Sequence, residues 1–378
     1  MDLSKNPKIL FIIEYFAPHI GGVERVIEEV GTRLAKQGLS INIFSTDEPI
    51  SLPTATLLST RFFGLFSMYS YKDMTITRMR LPDFGKRYLF PILSFPFLFL
   101  FYNDVNLVHS SNNYTIALPA WLFAKLTRKK ITISVWEIWA TKWVERMGFV
   151  VGLLHLAYER VILSLPFDHY FVPSRFVGNQ LINKKPVTLA PLAGRNLRYS
   201  LNKKMMLRKH FALEKQFVFL YYGRRGISKG LEILIAAFRQ LRRNQRNIHL
   251  LCVTSPDDQS PEVNITILPQ VPDNELSSYL SMADAVVIPD LTASFGLNAL
   301  EVSEMGRPLI VTTAGALPEV SFGKIIFVQP GSVKELVRGM KLALQGKWQK
   351  IPTKHFSWDT TAREYEKGFA AHTLPRER

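Results

Sequence analysis

Apolar residues along this chain gather into short unbroken runs that alternate with stretches where they recur at helical spacing. The run Ile9-Leu10-Phe11-Ile12-Ile13 precedes a loop holding Pro18, Gly21 and Gly22. Val23, Val26, Ile27, Val30 and Leu34 follow, then Gly38 and Ile41-Asn42-Ile43-Phe44. A strand covered on two faces reads as a continuous apolar run, and a helix packed on one side shows a stripe. This opening therefore predicts a βαβ unit with parallel strands. Runs at 131–135 and 169–172 extend the same lobe. From 187 to 215 the pattern turns basic and irregular, through Pro191, Gly194, Asn202-Lys203-Lys204 and Arg208-Lys209, and we place the junction near Arg195. The alternation then restarts, with a strand over 217–222, a helix over 230–242 and strands at 248–253, 285–288, 309–312 and 325–328. After Pro352 comes a last helical stretch, 358–369, too short to be a domain and expected to pack back across the junction. The predicted class is α/β: two doubly wound, Rossmann-like parallel-sheet lobes facing a cleft, built from residues 1–195 and 196–356. Residues 357–378 form a helix crossing back to the first lobe, with a frayed end.

A length of 378 residues suits about two domains, and the apolar fraction of 47% with 21% charged residues belongs to a globular protein. The single cysteine, Cys252, lies inside the apolar run 248–253 and reads as a small core residue, neither a disulfide partner nor a metal ligand. No metal site is expected. The early apolar run is short and is followed by Glu14 where a secretory signal would have small residues, so a reducing cytoplasm is the expected compartment. The longest apolar stretch, 88–102, contains Pro91 and Pro96 and falls short of the ~20 residues that cross a bilayer.

The net charge of +16 is unevenly placed. Residues 201–250 hold 12 Lys and Arg against 2 acids, whereas 251–300 hold 7 acids and no Lys or Arg. Such asymmetry points to an anionic partner on particular faces. The chain carries no zinc spacing, helix-turn-helix pattern or aromatic-basic RNA motif, so nucleic acid is not the expected partner. Anionic headgroups and a sugar-nucleotide diphosphate explain the charge more economically. The segment 149–158, between Arg146 and Arg160, has the composition of a helix lying flat on a bilayer or of an ordinary buried one; 90–101, beside Lys86-Arg87, is similar. Peripheral attachment to the inner face of the membrane is thus an open alternative.

Candidate chemistry gathers where strands end. Gly21 and Gly22 join the first strand to the first helix, where bare backbone and a helix's positive end approach a phosphate, or where two glycines simply make a tight turn. A second loop, Gly223-Arg224-Arg225-Gly226-Ile227-Ser228-Lys229-Gly230, again links a strand to a helix. Arg224 offers a fork to phosphate oxygens and Lys229 a compact charge, which suits a diphosphate without a metal; the bland reading is a solvated basic turn. The third element runs from Ile288 through Pro289, Asp290, Ala293, Ser294, Phe295, Gly296 and Leu297 to Glu301. Here a helix begins with its free N–H groups, and Glu301 either accepts hydrogen bonds from a ribose or sits on an ordinary helix face.

Taken in order, Gly21-Gly22-Val23-Glu24, Gly223-Arg224 with Lys229-Gly230, Phe295-Gly296-Leu297 with Glu301, Gly315-Ala316-Leu317-Pro318-Glu319-Val320 and Phe356-Ser357-Trp358 make the chain resemble a retaining glycosyltransferase of the family 4 type, over essentially its whole length. The resemblance implies the GT-B fold and a UDP- or GDP-linked sugar as co-substrate, with no permanently bound cofactor. It also implies a glycan or lipid-linked acceptor entering from the first lobe. By the same resemblance Arg224 and Lys229 hold the donor diphosphate, Glu301 the ribose, and Ser294, Phe295, Gly296 and Leu297 the phosphate and sugar, with Gly21 and Gly22 also on the donor side.

Two positions depart from the family's pattern. A glutamate is expected eight residues before Glu301, where this chain has Ala293, and Asp290 is the nearby carboxylate that would compensate. After the run 131–135 the family commonly has a histidine followed by an acid, and here the text is Trp136-Glu137-Ile138-Trp139. Indole exchanges no proton near neutral pH, which leaves Glu137 as the candidate base or hydrogen-bonding group. Trp136 and Trp139 either stack on a sugar or headgroup or fill core space. The expected activity is hexosyl-type transfer, with Glu137 and Asp290 as catalytic candidates. A catalytically degenerate nucleotide-sugar-binding or scaffolding relative remains the alternative, and a nucleotide-sugar epimerase a third.

Overall fold

A computed structural model describes residues 7–19, 21–46, 54–112, 115–181, 183–184, 186–254, 262–269 and 271–373. Two units divide the chain, Met1–Leu192 with Ser357–Arg378, and Ala193–Phe356. The first contains β1 (Lys8–Ile12), α1 (Gly22–Lys36), β2 (Ser40–Thr46), β3 (Thr56–Arg61), β4 (Phe66–Tyr71), β5 (Met74–Met79), α2 (Lys86–Phe101), β6 (Leu107–Ser111), α3 (Ala117–Leu126), β7 (Lys130–Ser134), α4 (Lys142–Met147), α5 (Phe149–Ser164), β8 (His169–Val172), α6 (Arg175–Gly178) and β9 (Val187–Leu189). Among the described residues its sheet runs β3-β4-β5-β2-β1-β6-β7-β8-β9.

The second unit contains α7 (Leu201–His210), β10 (Phe217–Tyr222), α8 (Leu231–Arg242), β11 (Ile248–Val253), β12 (Ile265–Leu268), α9 (Asp273–Met282), β13 (Ala285–Ile288), α10 (Leu297–Glu304), β14 (Leu309–Thr312), α11 (Leu317–Val320), β15 (Gly323–Val328), α12 (Val333–Leu344) and β16 (Gln349–Ile351). Its sheet runs β12-β11-β10-β13-β14-β15-β16, parallel except for β16 on β15. Leu234, Phe238, Val337 and Met340 cover one face over Phe219, Leu250 and Cys252. Burial there pushes the Cys252 thiol up to about 12, so it is a neutral core group.

After unit two, α13 (Trp358–Thr373) returns to the first unit. Tyr365 stacks on Phe171 with ring centroids 4.3 Å apart, and its hydroxyl is 2.6 Å from the Ser134 hydroxyl. Phe369 meets Phe11 edge-on. Residues 374–378, the expected frayed end, lie outside the described residues.

The two α/β, Rossmann-like lobes are as expected, and the structure adds two features that the sequence reading lacks. The first sheet is mixed, because β3, β4 and β5 form an antiparallel meander at its edge. The stretch read as irregular contains α7, which Ser200 caps by accepting from the Lys203 amide. No residue of α7 is buried, so no apolar stripe betrays it. Arg195, near which the sequence puts the junction, lies in the second unit.

Candidate functional site

In the second unit, the loops after β10 and β13 meet at the carboxyl ends of adjacent parallel strands. This is where an open α/β sheet leaves room for a ligand. The contact needs Gly230, which has φ 64° and caps α8; a Cβ there would collide with the Pro289 carbonyl oxygen. The Leu291 amide donates to the Ser228 carbonyl at 2.8 Å, tying one loop to the other.

Two of the predicted groups meet across this contact. Lys229 Nζ lies 2.5 Å from Asp290 Oδ2, and Asp290 is 4% exposed. Burial pushes the Asp290 carboxyl above the usual carboxylate range, against the pull of Lys229. Arg224 is exposed, and its carbonyl accepts from the Tyr221 hydroxyl. Of the loop's three cations, Lys229 and Arg225 are thus held by carboxylates, those of Asp290 and Glu232, while Arg224 faces solvent.

Gly296 caps α10, and behind it Glu301 is 2% exposed. Sequence reasoning gave Glu301 no protein partner, yet Arg195 Nε and Nη2 each donate to it at 2.7 Å and the Arg195 amide donates at 3.1 Å. The Tyr222 hydroxyl also reaches Glu301 Oε2, at 3.1 Å. Tyr222 and Asn298 are bonded twice: the Tyr222 hydroxyl donates to the Asn298 carbonyl, and Asn298 Nδ2 donates to the Tyr222 carbonyl. Ala293 is buried, with its carbonyl accepting from the Ala316 amide at 2.9 Å. Ser294, Phe295 and Leu297 lie along the same turn, Phe295 being buried against Phe356.

In the first unit, Gly21 precedes α1 and Gly22 begins it, but the Glu24 carboxylate folds over Gly21, where a Cβ would collide with it. His19 Nδ1 lies 3.1 Å from Glu24. A carboxylate thus already occupies the approach to this helix end, where the partial positive charge favours an anion. The loop after β7 is fastened from two sides. Asn112 accepts from the Trp136 amide and donates to the Glu137 carbonyl, while Glu159 accepts from the Trp139 and Ala140 amides. Trp136 is 6% exposed and fills core space, whereas Trp139 packs on Trp143, which stacks on His155. Glu137 is half-buried.

Glu14, at the end of β1, carries a signal the sequence reading did not use. It is fully buried, its Oε1 accepts from the Thr115 amide and hydroxyl, and its Oε2 has no hydrogen-bond partner among the described residues. An acid directly after an apolar strand was the available clue.

Residues 20–193 match Glycosyltransferase Family 4, and residues 202–357 match Glycosyl transferases group 1. The chain belongs to the family 4 glycosyltransferases, with the GT-B fold. Among relatives of this family 4 chain, a D-inositol 3-phosphate glycosyltransferase of Segniliparus rotundus is 28% identical, the match covering 38% of each chain. A lipopolysaccharide 1,2-N-acetylglucosaminetransferase of Salmonella typhimurium is 24% identical over 52% of this chain and 60% of its own. The matches therefore span 38% and 60% of the length of these relatives, in each case less than two thirds. HepE of Anabaena, solved with UDP and glucose, superposes with a TM-score of 0.71 at 14% identity, covering 97% of this chain and 100% of that one. Sucrose-phosphate synthase of Thermosynechococcus elongatus gives 0.69 at 18% identity, covering 97% and 95%. At such identities the family 4 chain shares their fold, and the chemistry of its site rests on its own residues.

Proposed function

We propose that the chain transfers a hexosyl group from a UDP- or GDP-sugar to a glycan or lipid-linked acceptor, with retention and without a bound metal. The observation that carries this reading is the meeting of the Arg224–Lys229 loop with the loop that leads from β13 to α10, at the ends of β10 and β13. Arg224 approaches the diphosphate from solvent, and Lys229 joins it by exchanging Asp290 for phosphate oxygens. The free amides around Gly296 and Leu297 face the phosphate and sugar. In the transfer, the sugar–phosphate bond breaks, the acceptor oxygen bonds to the anomeric carbon, and its proton leaves with the nucleoside diphosphate. The HepE structure with UDP and glucose supports a nucleotide-sugar donor.

A degenerate, binding-only relative is the second reading, favoured by the methyl at Ala293, the commitment of Asp290 to Lys229 and the burial of Trp136. Calorimetry with a panel of UDP- and GDP-sugars, run beside nucleotide release, separates the two. Transferase activity predicts binding and turnover, with Arg224→Ala weakening donor binding by roughly tenfold or more, as loss of a charge-assisted contact does. Binding without turnover, restored by Ala293→Glu with Trp136→His, would establish the second reading, and a panel with no binder would remove both.

We further propose that the first unit docks on an anionic bilayer. Phe149, Val150, Val151, Leu153 and Leu154 are exposed on α5, and Tyr88, Ile92 and Leu93 on α2, with Tyr88 bonded to His155 of α5. Lys142 and Arg160 are exposed on the same α4–α5 pair, while the Arg146 side chain lies outside the described residues. Among the described residues no helix is long and apolar enough to cross a membrane, so the attachment proposed is peripheral.

A further inference from the structure

A carboxylate has about four acceptor sites, two on each oxygen. In Glu301 Arg195 takes three, Oε1 by its amide and Nε and Oε2 by its Nη2, while the Tyr222 hydroxyl shares its one proton between Oε2 and the Asn298 carbonyl. The residue read as the ribose acceptor therefore lacks the two open sites that a pair of ribose hydroxyls needs. Three of its four bonds come from one residue, and the fork is held close by Gly194, whose Cβ, if present, would lie 2.9 Å from Glu301 Cγ. Only Arg195 of this pair reaches solvent: its side chain is 20% exposed, against 3% for that of Glu301. Tyr222 is also bonded to the Asn298 carbonyl, so it is the less free of the two donors to leave.

We propose that Arg195 is a latch on the ribose end of the donor site, a specificity-determining residue that withholds Glu301 until a nucleotide's two ribose hydroxyls replace the guanidinium fork. This rests on the reading of Glu301 as the ribose acceptor. The exchange substitutes two hydroxyl donors for two guanidinium donors on the same carboxylate oxygens. Arg195 swings to the solvent it already touches, and its backbone amide stays on Oε1. The latch lowers the apparent affinity of nucleotides whose ribose hydroxyls must displace the fork, in proportion to the fraction of chains in which it is open. It thereby sets how far the site tells ribose from its dideoxy form, because a nucleotide without ribose hydroxyls leaves the fork in place and bears no cost of opening it.

Arg195→Lys tests this, since it keeps the charge beside the buried carboxylate and reduces the fork to a point contact. Arg195→Gln, neutral but still a donor, serves if the lysine variant fails to fold, with a thermal melt reporting integrity. Calorimetry first ranks UDP, GDP and ADP on the unaltered chain, and the tightest is compared with its 2′,3′-dideoxy form on each protein. The latch predicts that the variant binds the ribonucleotide about fivefold to tenfold tighter while its affinity for the dideoxy form stays put. If the unaltered chain prefers the ribonucleotide and Arg195→Lys does not tighten it, the latch is wrong and Glu301 keeps its ribose role. If neither protein distinguishes ribo from dideoxy, or no nucleotide binds, the reading of Glu301 has failed and the latch falls with it.

Discussion

Glu14 and His109 sit at strand ends and in strands of the first unit with opposite titration. Burial raises the Glu14 carboxyl from 4.5 to about 7, with Thr115 and Arg87 pulling it back, and lowers the buried His109 from 6.5 to about 3. For Glu14 the native state holds the proton more tightly than the unfolded chain. Its contribution is therefore complete below about pH 4.5 and is lost as pH rises through about 7. Glu14→Gln should leave stability near pH 4 almost unchanged and raise it at pH 8 by up to ~3 kcal/mol, read from urea unfolding at the two pH values. An equal effect at both would show that Glu14 is ionised throughout. His109 runs the other way: burial, and after it the nearby His169, disfavour its proton, so stability falls as pH drops from about 6.5 toward 3. At this scale the sequence exposes what is missing, since Ala293 and Trp136 are absences that can be read directly. Pairings are another matter. Lys229 with Asp290 and Arg195 with Glu301 join residues 61 and 106 positions apart, and only the folded backbone brings them together.

Among elements, the buried parallel strands announce themselves because apolar residues on two faces leave no polar interruption. The β3–β5 meander does not. Leu57 and Leu58 of β3 are exposed, and although Gly64 marks the first turn, the left-handed positions at Phe62, Phe63 and Lys72 are filled by residues that signal no turn. The closing helix was legible as a helix, but its burden was not. Phe369 of α13 is fully buried against Phe11, His109 and Phe171, so Phe369→Ala should cost about 3–5 kcal/mol in urea unfolding of the intact chain. A loss below ~1 kcal/mol would show that α13 is not part of the first unit's core.

For the whole molecule, the excess of positive charge and the exposed apolar face of the first unit bear on the same measurement. Flotation with vesicles containing anionic lipid should capture the chain at low salt and release most of it near ~0.5 M, because surface charges are screened within a few ångströms there. Phe149→Glu with Leu154→Glu should abolish capture without lowering the melting temperature, as both side chains face solvent. A chain that ignores anionic vesicles at low salt ends the bilayer proposal. Unit two is inserted within unit one, since α13 returns to the first sheet after residues 193–356. Synthesis proceeds from the amino end, so the rings of Tyr365 and Phe369 leave the ribosome only after the second unit has emerged in full. The half that is begun first is therefore completed last. Until those residues arrive, Phe11, His109 and Phe171 lack the cover that Tyr365 and Phe369 give them.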